Sequence, residues 1–142
     1  MTEAARQDLQ LEVEEALWQY DPVREALGAL RIEARPDGQV EIAGPVRSGS
    51  IKDGILATVR RLPGVVGVID RMLPDHELEL DIAKAIDSES SLKTLPPGSV
   101  SVYSHLGQVS LVGKVPTEAL RRKVVEAAQG VPGVRRLVDR LR

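Results

Sequence analysis

No cysteine and no phenylalanine occur among the 142 residues, and one tryptophan and two tyrosines are the whole aromatic complement. Without thiols there is no disulfide framework, no thiolate nucleophile and no thiolate metal ligand. Any core must be assembled from Val, Leu, Ile and Ala, and so few rings make no base-stacking platform for nucleic acid. No apolar run approaches the roughly 20 residues that a membrane-spanning helix requires. The opening Met1-Thr2-Glu3-Ala4-Ala5-Arg6 lacks the basic and apolar blocks of a secretory signal, so a cytoplasmic protein is expected. Histidine is scarce as well: His76 sits at an expected helix start and His105 in an expected hairpin turn, with no nucleophile elbow to serve. The expectation is a protein without catalytic activity or cofactor.

What is present is a repetition. Gly38-Gln39-Val40, Gly44, Val46, Pro63-Gly64-Val65 and Asp70-Arg71 return as Gly107-Gln108-Val109, Gly113, Val115, Pro132-Gly133-Val134 and Asp139-Arg140, ten identities at a constant offset of 69 residues. Apolar positions keep the same offset, Ile42 with Leu111 and Val68 with Leu137 among them. The chain therefore reads as a tandem duplication of small domains, residues 1–74 and 75–142. Each half is so short that its own core is marginal, and the two are expected to pack together.

Within the first copy, Leu9, Val13, Ala16, Leu17 and Tyr20 share one helical face, and Asp21-Pro22 should end that helix. Leu30, Ile32 and Ala34 alternate with Arg31, Glu33 and Arg35, Val40 and Ile42 flank Glu41, and Pro36-Asp37-Gly38 supplies the hairpin turn between. Helical spacing resumes at Ile51, Ile55, Val59 and Leu62, with Ser50 as the expected N-cap, and Val65 to Leu73 forms a last strand. The second copy repeats the order: helix from Asp75 to about Asp87, strands near Val100–Ser104 and Val109–Val115, helix Thr117–Gln129 and strand Val134–Leu141. The fold class is α+β, each repeat helix-strand-strand-helix-strand with two helices on a three-stranded mixed sheet.

The pattern Ile42-Ala43-Gly44-Pro45-Val46 and Leu111-Val112-Gly113-Lys114-Val115, each followed one helix later by Pro-Gly-Val, resembles the BON domain, named for bacterial osmotically induced and nodulation proteins. The resemblance covers nearly the whole chain as two copies. It implies two helices on a small mixed sheet and a role in binding phospholipid or other envelope components, in proteins tied to osmotic stress, secretion or channels. The motif residues are Gly, Pro and apolar side chains, which set backbone geometry and core and name no reactive group. Asp70 and Asp139 stand where the family often has Asn.

Charge supplies the remaining signal. Residues 1–98 carry 11 basic and 18 acidic side chains, net −7, whereas residues 99–142 carry 8 and 3, net +5. Arg121, Arg122 and Lys123 on the last helix, with Arg136, Arg140 and Arg142 on the last strand, are the expected ligand-binding residues, and an anionic phospholipid surface, met peripherally, is the expected partner. The alternative is a protein partner or a homo-oligomer. It would use the acidic first helix, with Glu12, Glu14 and Glu15, or the weakly charged sheet face of Ser101, Tyr103, Ser110, Val112 and Val138. A third alternative, an ion-binding stress protein, rests on the family and on the cluster Asp75, His76, Glu77, Glu79 and Asp81, where helix geometry lets only Asp75 with Glu79 or Glu77 with Asp81 converge. The acidic turn equally suits a helix dipole, and no metal site is expected. Gly130-Val131-Pro132-Gly133 matches a nucleic-acid GxxG loop in letters but joins helix to strand, so it reads as a helix end and nucleic acid is not an expected partner.

Overall fold

Thr2 starts the first helix, its hydroxyl accepting from the Ala5 amide at 3.1 Å. The computed structural model describes residues 1–142. In it the chain divides into two compact units, Met1–Pro74 and Asp75–Arg142. Helix α1 (Glu3–Trp18) buries Leu9, Val13 and Leu17, three of the residues on its expected face. It stops two residues before Asp21-Pro22, and Asp21–Ala29 then winds as a 3₁₀ segment burying Val23 and Ala26. That element was not anticipated; its buried pair is three residues apart, the period of a 3₁₀ turn, and too short a run to show a periodicity.

Strand β1 (Arg31–Ala34) pairs antiparallel with β2 (Gln39–Val46), and β3 (Gly67–Pro74), reached through α2 (Gly49–Arg60), lies parallel to β2 on its other side. The N-cap of α2 is Ser48 rather than Ser50: its Oγ accepts from the Ile51 amide at 3.2 Å, which places Ser50 inside the first turn. The second unit repeats the plan with α3 (Asp75–Ser88), β4 (Val100–His105), β5 (Gln108–Gly113), α4 (Glu118–Gln129) and β6 (Arg136–Leu141), in sheet order β4-β5-β6. Helices cover one face of each sheet. Val40, Ile42, Ile55 and Val59 are fully buried beneath them in the first unit, and Val109, Leu111, Ile82 and Val124 in the second. No helix is long and apolar enough to cross a membrane.

The repeated glycines of the central strands have a steric cause. Gly44 (φ 131°) and Gly113 (φ 146°) occupy backbone conformations that favour glycine. A Cβ at Gly44 would lie 2.6 Å from the Ala29 carbonyl oxygen, and one at Gly113 would strike that of Ser99.

The edges of the sheets are held by the first helix of each unit. In the first, Gln10 accepts from the Ala34 amide at 2.6 Å and donates to the Ile32 carbonyl at 2.7 Å, while Arg6 donates to the Ala34 carbonyl at 3.1 Å. In the second, Glu79 accepts from the Ser104 amide at 2.8 Å. Asp75, 4% exposed, accepts from Ser104 Oγ at 2.9 Å, the Leu106 amide at 3.0 Å and the Gly107 amide at 3.3 Å. Arg6 and Gln10 stand one repeat length, 69 residues, before Asp75 and Glu79, so the positions keep their task while their chemistry changes. The second hairpin demands more of its anchor. Its two-residue turn places Leu106 at φ 50° and Gly107 at φ 81°, and a left-handed Leu carries a strain of about 1–3 kcal/mol. Asp75 offsets that strain by holding both turn amides.

Asp75→Ala leaves two buried amides and a hydroxyl without their acceptor. A loss of about 2–4 kcal/mol in unfolding free energy is expected, read from denaturant titration monitored by circular dichroism. A loss under about 0.5 kcal/mol would remove the anchoring role.

Candidate functional site

Side chains alternate across a strand, so the face of each sheet away from the helices is a three-by-three array read off the register. In the second unit the rows are His105, Gln108, Arg136; Tyr103, Ser110, Val138; and Ser101, Val112, Arg140. Tyr103 is 58% exposed and Val112 39%, at the centre of a surface with no carboxylate. Arg136 and Arg140 flank Val138 along β6 and make no ion pair.

The corresponding array in the first unit is Arg35, Gln39, Gly67; Glu33, Glu41, Ile69; and Arg31, Ala43, Arg71, with Arg35 one residue beyond the end of β1. Its centre is Glu41, whose side chain is 7% exposed although it stands on the open side of the sheet. Arg35 Nη2 and Arg71 Nε each reach a carboxylate oxygen at 2.8 Å, and Arg31 Nη2 approaches to 3.8 Å. The hydrogen bond from Arg35, and then the nearby charges of Arg35, Arg71 and Arg31, hold the Glu41 carboxyl below the usual carboxylate range against the opposing effect of burial. The guanidinium arms lie over this sheet and occupy it. Where the first unit has Glu41 the second has Ser110, so Arg136 and Arg140 have no carboxylate to fold onto.

The six cations expected to bind a ligand do not form one surface. Arg136 and Arg140 belong to the open sheet face, and Arg142 lies just past the end of β6. Arg121, Arg122 and Lys123 lie on α4, across the sheet. Arg121 is engaged by Asp139 at 2.8 Å and Glu118 at 3.1 Å, contacts that raise its pKa above the ordinary guanidinium value, the Asp139 hydrogen bond foremost. Lys123 stands 4.0 Å from Glu126. The pair Arg121–Asp139 has its counterpart in Lys52–Asp70, 2.9 Å apart. Each aspartate also accepts from the amide two residues on, Met72 at 3.0 Å and Leu141 at 2.9 Å. The repeated aspartate therefore ties the outer edge of the last strand to the second helix. That was legible in the sequence only as an identity, since no local pattern joins position 52 to 70.

Asp75 and Glu79, one of the two pairs that helix spacing allows to converge on a cation, converge instead on the β4–β5 hairpin. A surface cleft of about 680 Å³ beside the end of β5 is lined by Pro96, Ser99, Lys114 and Arg142, among others, without a carboxylate, imidazole or thiol. It has no pair of groups suited to acid–base exchange.

The family model described as "BON domain" matches residues 74–142. Among the curated proteins none matches the sequence. Two solved structures of CdsD, a structural protein of the type III secretion system of Chlamydia trachomatis, superpose with TM-scores of 0.70 and 0.69 at 19% identity. The first is described as its C-terminal domain. They cover 95% and 94% of this chain, which spans only 64% and 60% of theirs. At that identity the likeness is one of fold, and it spans both units.

The Glu41 cluster gives a pH signature. A carboxyl held low in the folded state contributes stability that is complete above its unfolded pKa and is lost as pH falls through the lowered folded value. Glu41→Gln should therefore lower the thermal midpoint at pH 7, and the gap to the unmodified protein should narrow as pH falls below the ordinary glutamate value of about 4.3. A gap of constant size across that range would refute it.

Proposed function

We propose, from the premise that the chain is a BON-domain protein through residues 74–142, that it is a non-catalytic module which docks a protein partner through the open face of its second sheet. The observation that carries this is the contrast between two equivalent faces, one occupied by its own Glu41–arginine cluster and the other leaving Tyr103 and Val112 exposed, with Val138 half-buried, beside two unpaired arginines. A flat aromatic and β-branched centre with a charged rim is the composition of a protein-docking patch, in which burial supplies affinity and the rim supplies orientation. The CdsD structures, from a structural component of an assembly, agree in fold with such a role.

Peripheral binding to anionic phospholipid is the second reading, favoured by the net +5 of residues 99–142. Each basic residue near an anionic surface is worth about 1 kcal/mol, but the cations must face that surface together. Here they are divided between the two sides of a sheet and one is committed to carboxylates. The open face also has no Trp or Phe to enter the interfacial layer.

A photo-crosslinking amino acid at position 112 of the full chain, expressed in cells, should yield a protein adduct, whereas the same probe at position 43 should yield none. Equal adducts at both positions, or none at 112, would contradict the docking face. Salt-sensitive sedimentation with anionic but not neutral vesicles, abolished by Arg136→Gln with Arg140→Gln, would support the lipid reading instead.

A further inference from the structure

Helix α1 carries a second, solvent-facing side, on which Glu14 accepts from Gln10 Nε2 at 2.7 Å and the other side chains do not enter the core. Leu11, Glu14, Glu15 and Trp18 follow the i, i+3, i+4, i+7 spacing of one stripe, and all four are exposed, Leu11 at 63% and Trp18 at 60%. Arg24 lies 5.6 Å from the Trp18 ring centroid and leaves the rest of the indole open. The stripe thus has apolar ends, an acidic middle and Asp8 alongside, on a helix whose opposite side buries Leu9, Val13 and Leu17.

Resting on the docking reading above, we propose that the occupant of the second unit's open sheet face is the Leu11–Trp18 stripe of a second copy of this chain, so that copies join head to tail. The chemistry of the two surfaces is complementary term by term. Tyr103, Val112 and Val138 offer an apolar floor for Leu11 and Trp18, and Arg136 and Arg140 offer guanidinium forks to Glu14 and Glu15. Arg136 and Arg140 stand about 13 Å apart along the strand, and the adjacent Glu14 and Glu15 are placed to dock between them. The equivalent face of the first unit is closed to the same ligand, because Arg31, Arg35 and Arg71 are drawn onto Glu41. One donor stripe and one acceptor face per chain make a heterologous contact, which closes into a ring, a reciprocal pair being the smallest, or propagates as an open filament.

Charge exchange tests the pairing. Variant one carries Glu14→Lys with Glu15→Lys, and variant two Arg136→Glu with Arg140→Glu, each checked for an unchanged circular dichroism spectrum and a single cooperative melt. In sedimentation over a concentration series the unmodified chain should self-associate, and each variant alone should associate roughly tenfold or more weakly, since like charges then face each other. An equimolar mixture should recover assembly, because the reversed helix meets the reversed sheet and the two unmodified surfaces still fit one another. Absence of recovery would overturn the proposal. Loss in variant two with none in variant one would leave the sheet face as a docking surface and dismiss helix α1 as its occupant. A chain that stays monomeric throughout would overturn self-docking, and the crosslink at position 112 would then judge the docking face by itself.

Discussion

A three-stranded sheet has one interior strand and two edges, and each unit is organised around closing those edges. An edge presents unpaired amides and carbonyls that invite another strand. In both units side chains from the first helix reach the free edge of the hairpin, Gln10 and Arg6 in one case and Glu79 in the other. At the far side Asp70 and Asp139 accept from amides of their own strands while binding a cation of the second helix. With four identical or equivalent positions spent this way, strand addition is discouraged at both margins. The surface left for recognition is the face of the sheet.

The two copies then diverge at a single central position of that face. Glutamate at 41 gathers three arginines and covers its own sheet; serine at 110 gathers nothing. The duplication in this reading separates a self-satisfied unit, whose first helix presents an acidic apolar stripe, from a unit with an unfilled face of opposite charge. The end-to-end polarity of the sequence is the trace of that division. A chain almost free of aromatic residues also places two of its three large rings, Trp18 and Tyr103, largely in solvent, where neither supports a core.

Much of this was legible in the sequence. The 69-residue repeat, the strand alternation at Leu30–Ala34 and the helical spacing of Leu9, Val13 and Leu17 are local or periodic signals, and they gave the α+β class and element order. Strand parity likewise assigned Tyr103, Ser110, Val112 and Val138 to one weakly charged face of the second sheet. Elements without a long period were not readable: the 3₁₀ segment Asp21–Ala29 has too few turns, and Ser48 and Ser50 are equally good caps until the backbone chooses. The six cations illustrate a different limit. Sequence lists Arg121 beside Arg122 and Lys123, but whether a charge is available depends on a partner 18 residues away, Asp139, which only the packing of α4 on β6 brings into reach. Asp75 and Glu79 converge as helix spacing allows, yet what they meet is the backbone of a distant hairpin.

Methyl-resolved NMR of the full chain in a dilution series addresses the central claim directly, because Val112, Val138, Ile69 and Ala43 report on the two sheet faces independently. On concentration, the methyl signals of Val112 and Val138 should shift together with those of Leu11, while Ile69 and Ala43 stay fixed. Shifts concentrated at Ile69 and Ala43, or equal on both faces, would contradict the account in which the unfilled second sheet is the working surface.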